Sequence, residues 1–311
     1  MESAIVLGGS GFIGSACVAA LRGTGWKVRD EPAPRLTTSA RTLPELAAEL
    51  PRHQATIDRL AQLLGSADVV INSGGLPVSN ADGSDDLFGA NSLLPGVVSA
   101  AARQAGLRRF IQLSSISVQG RMDPLDETTQ HRVHSPYSTS RSLGERIIEG
   151  PGHDHAVILR LPSVQGVARL RSRKLNRIAR SPLSSTAGRG DRPTPLALIE
   201  NVGAAVEFLA AYQADVPKVV LQPAEEITTG RFLELLGDRT PRHVPVSLAK
   251  PVTALLLLAG RRSRRAHTLG RGLELMWFGQ GQKQSWLTGA GFVLPVGAEG
   301  WAALGRALNA R

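Results

Sequence analysis

The chain has 311 residues, 42% hydrophobic and 20% charged, which excludes a disordered chain and suffices for one large α/β domain or two domains sharing a core. Its single cysteine, Cys17, excludes an internal disulfide framework. The net charge of +10 suits an anionic partner, but an aromatic content of 4% and the lack of zinc-ligand spacing argue against nucleic acid.

The predicted elements alternate between strands and helices. Residues 4–7 form an apolar run that stops at a glycine, as a buried parallel strand does, and a helix follows over residues 12–21. A short second strand opens at Val28, and residues 36–66 are predicted to be helical in parts. The pattern then predicts strands over residues 67–72, 109–113 and 156–161 and helices over residues 93–105 and 137–148. This alternation predicts an α/β fold with a doubly wound parallel sheet.

A glycine-rich turn separates the first predicted strand from the first predicted helix. It reads Gly8-Gly9-Ser10-Gly11-Phe12-Ile13-Gly14. Glycine adopts the tight turn freely and lets a pyrophosphate approach the backbone, while the helix N-terminus offers free N–H groups and a positive dipole end. Strand before and helix after are the context that a dinucleotide-binding turn requires. We therefore predict that residues 1–166 form a dinucleotide-binding Rossmann domain.

The spacing of these glycines resembles that of the extended short-chain dehydrogenase/reductase family, also described as the NAD-dependent epimerase/dehydratase family. Its members act largely on nucleotide sugars, and the chain looks most like bacterial nucleotide-sugar 4-epimerases and 4-ketoreductases. The resemblance is specific over residues 4–166 and weaker beyond. It implies a catalytic serine at Ser115, a catalytic tyrosine at Tyr137 and, in place of the family's lysine, Arg141. Tyr137 is one of only two tyrosines in the chain, so its place in the motif is unlikely to be chance.

These residue types fit hydride transfer at a carbinol carbon, which requires a proton to leave or join the oxygen. A phenol can be the general acid or base if its pKa of about 10 is lowered toward the working pH by a nearby cation. A serine hydroxyl holds the substrate oxygen beside it, and a spacing of four puts Tyr137 and Arg141 on one helix face.

Arg141 departs from the family pattern. Arginine keeps the positive charge but does not deprotonate, so it cannot pass a proton onward. Three interpretations follow. Arg141 substitutes for the lysine with altered efficiency, or another group or water relays the proton, or the site binds its ligands without catalysis. We favour retained catalysis, because Ser115 and Tyr137 are both present.

The resemblance also assigns cofactor contacts. Asn91 matches a family asparagine that supports the site, although it could simply cap a helix. An acidic residue at the end of the second strand favours NAD and arginine there favours NADP, and the arginines of this stretch lead us to prefer NADP over NAD. The predicted cofactor-binding residues are Gly8, Ser10, Gly11, Phe12, Ile13, Gly14, Arg29, Arg35, Ser73, Gly74, Asn91, Tyr137, Arg141, Leu161 and Ser163.

Residues 167–311 are predicted to be mainly a smaller C-terminal substrate-binding region, with residues 196–222 returning to the first sheet. By the resemblance, the stretch over residues 181–195 leads to a diphosphate-binding arginine, for which Arg192 is the candidate. The basic helix before it offers Arg171, Arg173, Lys174 and Arg177, for which a solvated face is an equal interpretation. We take Ser115, Arg192 and Arg177 as substrate-binding residues and predict no metal site.

Three functional hypotheses remain open. The first is an NAD(P)-dependent ketoreductase or epimerase on a nucleotide-linked sugar; the second is a ketoreductase that tailors a natural product; the third is a dinucleotide-binding protein without turnover. Dehydration and decarboxylation are disfavoured, because Ile116 and Ser117 follow Ser115 where those family members carry acidic residues. The partner is expected to be a small molecule, and a homodimer stays open.

No signal peptide is visible, and the longest apolar run, residues 252–259, is shorter than the about 20 residues needed to cross a bilayer. We therefore expect a cytoplasmic protein. That run, with the basic residues 261–265 after it, could form a membrane-surface element, but we favour a helix packed on the domain with a solvated tail.

Overall fold

A parallel sheet forms the centre of the molecule. The computed structural model describes residues 2–77, 83–260 and 262–310. The strands of this sheet are Ser3–Leu7 (β1), Lys27–Glu31 (β2), Val69–Asn72 (β3), Arg109–Ser115 (β4), Ala156–Leu161 (β5) and Val219–Leu221 (β9). Within the described residues they pair in the order β2-β1-β3-β4-β5-β9, all parallel. The strand order reverses between β1 and β3, so a crevice opens there at the carboxyl ends of the strands.

Helices cover both faces of the sheet, and the predicted doubly wound α/β fold is confirmed. Along β1, Ile5 and Leu7 enter the core on one face while Ala4 and Val6 enter the core on the other. The first face carries Leu43–Glu49 (α2), Gln54–Leu64 (α3), Asp85–Phe88 (α4), Leu94–Gln104 (α5) and Pro136–Glu149 (α6), and the second carries Phe12–Gly23 (α1) and Ile199–Ala211 (α8). Burial on both faces explains the apolar runs of β1, β3 and β9, whereas β2, at the edge of the sheet, is polar and only partly buried.

The C-terminal part adds smaller elements around the carboxyl edge of the sheet. They are Ser163–Gln165 (β6), Leu170–Arg180 (α7), Ser185–Ala187 (β7), Leu196–Leu198 (β8), Thr229–Gly237 (α9), Arg242–Val244 (β10), Val246–Ala259 (α10), Arg264–Phe278 (α11), Trp286–Gly289 (α12) and Ala298–Asn309 (α13). β6 pairs with β8 and β7 with β10, outside the main sheet. Helices α7, α9 and α13 enclose a third core, in which the rings of Phe232 and Trp301 meet edge to face. Among the residues described, no helix combines the length and apolar character needed to cross a bilayer.

Candidate active site

The turn between β1 and α1 is closed by contacts that only glycine allows. Gly8 has a φ of +78° and donates its N–H to the carbonyl of Glu31 at 2.8 Å. A Cβ on Gly14 would lie 2.2 Å from the carbonyl oxygen of Gly8, so any side chain there would open the turn. α1 begins at Phe12 with Gly11 as its N-cap and no side-chain cap. Its first N–H groups therefore have no side-chain cap, which is the arrangement of helix N-termini that can bind an anion.

The loop after β3 packs directly across this turn. Ser73 Oγ donates to the carbonyl of Leu7 at 2.7 Å, and Gly74 N–H donates to Asn72 Oδ1 at 3.0 Å. A Cβ on Gly8 would lie 3.2 Å from Gly74 N. The structure thus brings predicted residues of two loops, Gly8 and Gly14 with Ser73 and Gly74, to the point where the strand order reverses. Ser10 is exposed at this turn, and Phe12 and Ile13 are half-buried beside it.

Consecutive side chains at the end of β2 take different directions. A Cβ on Gly9 would lie 2.4 Å from Asp30 Oδ1, so the carboxylate of Asp30 lies against the glycine turn. The guanidinium of Arg29 instead donates to the Leu63 carbonyl at 2.8 Å and to Ser66 Oγ, at the end of α3. Arg29 is therefore not brought to the dinucleotide turn. Arg35, the other arginine of this stretch, is exposed just beyond the strand.

Asn91 clamps the loop after β3 rather than facing the crevice. Its Oδ1 accepts the N–H of Leu76 at 2.9 Å, and its Nδ2 donates to the Leu76 carbonyl and to Ser140 Oγ, each at 3.1 Å. It lies in a π-helical turn, Gly89–Leu93, between α4 and α5. Asn91 thereby ties this loop to α6, so it positions the site through the backbone.

Two of the three predicted catalytic residues, Ser115 and Tyr137, line one cavity of about 270 Å³, and Arg141 is not among its lining residues. Ser115 ends β4, and its Oγ accepts the N–H of Ser117 at 3.2 Å. Tyr137 is in the first turn of α6, whose start is fixed because Ser135 accepts the N–H of Ser138 and Pro136 supplies a helical φ. Ser115, at the end of a strand, and Tyr137, at the start of a helix, therefore lie at the same cavity.

Arg141 lies one turn after Tyr137 on α6 and reaches back toward the sheet. Its Nη1 donates to the Leu113 carbonyl at 3.1 Å, and its guanidinium carbon lies 5.6 Å from the centroid of the Tyr137 ring. A Cβ on Gly75 would lie 2.6 Å from Arg141 Nη2, so the glycine makes room for the guanidinium. Arg141 Nε is buried with no hydrogen-bond partner among the described residues. The cradle of glycines and this unpartnered N–H fit a dinucleotide that runs from the glycine turn toward Tyr137.

The remaining walls of the cavity come from both the N-terminal and the C-terminal part of the chain and combine cations with apolar side chains. Ser163, just after the buried Leu161, lines the cavity, and its Oγ accepts from Gln165 Nε2 at 2.9 Å. The cationic lining residues are Arg169, Arg171 and Arg271, and the apolar ones include Ile116, Pro162, Leu175, Pro195, Leu196, Phe232, Leu275 and Met276. Arg169 is held over the Phe12 ring, with 5.5 Å from its guanidinium carbon to the centroid.

Two predicted substrate-binding arginines lie outside this cavity. The Nη2 of Arg192 pairs with Asp123 Oδ2 at 2.8 Å, and its Nε donates to the Phe278 carbonyl. The guanidinium of Arg192 is therefore engaged in contacts at the protein surface. Arg177 is exposed on α7 and is not among the lining residues. Arg171 belongs to the basic helix that the sequence singled out. Arg169 and Arg271 were missed, because no local pattern indicates that α7 and α11 converge on this cavity.

A buried ion pair lies behind the cavity. The side chain of Arg160 is fully buried and its Nη2 lies 2.7 Å from Glu145 Oε2, while Ser114 and His131 also hydrogen-bond the carboxylate. Burial raises the pKa of Glu145, but these hydrogen bonds and the charge of Arg160 together hold that pKa below its usual value. Ser114 and Ser115 are neighbours on β4, so the network that holds Ser114 also fixes where Ser115 points.

The chain thus combines a doubly wound parallel sheet, a glycine turn between β1 and α1, and a cavity lined by Ser115 and Tyr137. Residues 4–227 match the NAD dependent epimerase/dehydratase family. The chain belongs to that family, as its glycine turn and serine and tyrosine segments had indicated.

Solved structures share the fold over nearly the whole chain at low identity. A human epimerase family protein with NADPH has a TM-score of 0.67 at 18% identity, covering 98% of this chain and 99% of that one. UDP-glucuronic acid 4-epimerase from Bacillus cereus, in complex with UDP-glucuronic acid and NAD, has a TM-score of 0.63 at 16% identity, covering 99% of both chains. dTDP-4-dehydrorhamnose reductase from Bacillus anthracis str. Ames, with NADP, has a TM-score of 0.65 at 13% identity, covering 98% of both. Comparison with curated proteins gives no significant match.

Proposed function

We propose that this protein is an NAD(P)-dependent oxidoreductase that reduces or epimerises a carbonyl or carbinol centre of a nucleotide-linked sugar. The observation that carries the proposal is that Ser115 and Tyr137 line one cavity, with Arg141 one helical turn from Tyr137 and beside the loop that packs on the glycine turn. Family membership supports the reaction class.

In this proposal residues 1–166, with the returning residues 196–222, hold the dinucleotide, and residues 167–311 mainly hold the substrate. The N-terminus of α1 and Gly8, Gly11 and Gly14 hold the pyrophosphate. Ser73, Gly74 and Leu161 flank the dinucleotide, and Asn91 positions the loop that does so. The bound nicotinamide would supply or accept the hydride. We place the activity in the cytoplasm.

The chain's own residues move and hold the proton. Tyr137 donates its phenolic proton to the substrate oxygen during reduction and takes one back during oxidation. The hydroxyl of Ser115 hydrogen-bonds the same oxygen and keeps it beside the phenol. The fixed charge of Arg141 lies 5.6 Å from the centroid of the Tyr137 ring, and its free N–H groups suit ribose hydroxyls. Because arginine does not deprotonate, the phenol exchanges its proton with water or substrate rather than through Arg141.

The arginines in the cavity support a phosphorylated substrate. Arg169 and Arg171 stand at the start of α7, on the wall that the C-terminal part contributes. Guanidinium groups bind phosphate oxygens in a bidentate manner. Structural neighbours were solved with UDP-glucuronic acid or with UDP-glucose, which makes UDP-sugars the first substrates to test.

A second candidate function has one observation in its favour. The cavity lining beyond Ser115 and Tyr137 is mainly apolar, with Leu175, Phe232 and Met276 among its side chains. Such walls suit the apolar body of a natural product with an acidic group facing Arg169 or Arg171. A ketoreductase of this kind would use the same serine and tyrosine, so only substrate profiling separates the two.

The test is substitution of Tyr137 by phenylalanine. Epimerisation of UDP-glucuronic acid or UDP-glucose in the presence of NAD⁺, and oxidation of NADPH or NADH by dTDP-4-dehydrorhamnose, are the assays; whichever activity wild type shows should fall by about 10²–10⁴-fold, while dinucleotide binding by calorimetry is retained. The other tyrosine of the chain, Tyr212, packs against Trp286 and does not line the cavity, so Tyr212→Phe is a matched control. Unchanged turnover in Tyr137→Phe would refute the mechanism. Tight dinucleotide binding without turnover of any carbonyl substrate would favour a non-catalytic binding protein.

A further inference from the structure

Helix α10 exposes a broad apolar face. The exposed fractions of Leu248, Val252, Leu255 and Leu258 are 59%, 44%, 68% and 55%. The opposite face is anchored through Ala249 and Thr253, which are buried. Packing on the domain was the favoured interpretation of the sequence, but the helix is packed through one face only.

Over residues 251–260 the exposed face carries no polar side chain. Residues 251–260 contain no charged side chain, and the one hydroxyl among them, on Thr253, is turned inward and donates to backbone carbonyls of its own helix. α11 packs against α10, where a Cβ on Gly270 would lie 3.1 Å from Leu257, and it adds the exposed Leu269. Contiguous apolar surface of this kind marks an interaction site.

The chain around this face is strongly basic. Residues 239–273 contain eight arginines and lysines and no aspartate or glutamate. Lys250 and Arg262 are exposed near the two ends of the apolar stretch, and the sequence Arg-Arg-Ser-Arg-Arg occupies residues 261–265. A leucine face with arginines at its end is the pattern of a helix that lies in a membrane interface.

We propose that the exposed face of α10 docks in the plane of an anionic lipid bilayer. With 14 residues the helix is about 21 Å long, too short to span a hydrocarbon core but suited to lie along its surface. The leucines enter the acyl boundary, and the flanking Lys250 and Arg262 meet lipid phosphates. A second copy of this chain is a poorer occupant, because face-to-face packing would bring two segments with only positive charges together.

The experiment is vesicle flotation of the full-length protein with phosphatidylcholine alone and with a phosphatidylcholine–phosphatidylglycerol mixture. Wild-type protein should float with the anionic vesicles, and added salt should release it in part. Leu255→Glu should weaken binding by about tenfold or more, because it removes one buried leucine. Arg262→Ala should weaken it by about fivefold. Val293→Glu is the matched control, because Val293 is 80% exposed and lies outside α10 and α11; it should bind like wild type.

Three results would overturn the proposal. The first is equal flotation of wild type and Leu255→Glu, and the second is equal binding to neutral and anionic vesicles. The third is a lipid-free dimer by light scattering that Leu255→Glu dissociates, with no vesicle binding by wild type, which would assign the face to a second copy. Circular dichroism and dinucleotide binding check that each variant is folded, and none of these measurements depends on turnover.

Discussion

At the residue scale, Arg141 is the side chain that bears most directly on the role proposed for Tyr137. Its guanidinium is fixed by the Leu113 carbonyl and lies against Gly75, so its charge stays near the Tyr137 ring at all working pH values. A lysine would offer the same charge with fewer donors, and it could lose a proton. The arginine in place of the family's lysine therefore keeps a positive charge near the tyrosine but cannot relay a proton, so comparing the two residues separates these contributions to turnover.

We expect Arg141→Lys to leave turnover unchanged or to raise it, because the lysine restores charge and adds a titratable amine. Arg141→Ala should weaken dinucleotide binding by about tenfold, since donors to the ribose are lost. Steady-state kinetics and calorimetric titration measure the two effects. Complete loss of turnover in Arg141→Lys would instead show that the site requires arginine itself.

The preference for NADP now depends on Arg35. We expect Arg35→Ala to reduce NADPH affinity by about tenfold and to leave NADH affinity unchanged, because a charge-assisted bond to the 2′-phosphate is lost. Arg29→Ala is the matched control, since α3 already holds that guanidinium. Titrating each variant with both dinucleotides gives the result. Equal affinity of wild type for NADH and NADPH would contradict the preference and point to Asp30, whose carboxylate would bind a 2′-hydroxyl.

The direction of Arg29 could not be predicted from composition. Successive side chains on a strand point to opposite faces, so a shift of one residue decides which of Arg29 and Asp30 meets the glycine turn. Prolines directly follow β2, and the residue pattern of this strand does not indicate which of its side chains point to which face of the sheet. The positions of Ser115 at a strand end and of Tyr137 at a helix start were predictable, because each kind of position carries its own local signal.

At the scale of elements, the join between β1 and α1 is the most demanding backbone feature of the site. The strand, the turn and the helix were all recognisable in sequence, since glycine spacing and an apolar run are local properties. The convergence of α7 and α11 was not, because Arg169 and Arg271 are about a hundred residues apart in the chain and meet only through tertiary packing.

Gly14→Ala tests this join. Its Cβ would lie 2.2 Å from the Gly8 carbonyl oxygen, so the turn must open, and dinucleotide binding should fall below detection by calorimetry. Gly23→Ala, at the end of the same helix, meets no atom within 4 Å. This control should bind normally and be as stable as wild type or up to about 1 kcal/mol more stable. Normal binding by Gly14→Ala would mean that the pyrophosphate does not approach this turn.

At the scale of the whole molecule, Glu225 links the sheet-bound part to the C-terminal segment. Its Oε1 accepts from the N–H of Leu198 and from Asn201 Nδ2, and Asn201 in turn bonds the backbone of Val296. Burial raises the pKa of Glu225 to about 7. The folded chain therefore holds a proton that the unfolded chain releases at much lower pH.

The consequence is a loss of stability as pH rises from about 4.5 to about 7, because over that window the folded state binds more protons. We expect Glu225→Gln to remove this slope. As pH rises from about 4.5 to about 7, the free energy of unfolding of the variant should therefore gain about 2 kcal/mol relative to that of wild type. Urea unfolding at a series of pH values measures the difference. Parallel pH profiles for the two proteins would show that Glu225 titrates alike when folded and unfolded.

Helix α11 faces two ways: it packs on α10, and its Arg271, Leu275 and Met276 line the cavity. On a lipid surface, the cavity would therefore stand within a helix width of the bilayer. Encounter with an amphiphilic substrate would then occur by lateral diffusion in two dimensions, and its rate would follow the number of substrate molecules per unit of membrane area rather than per unit of volume.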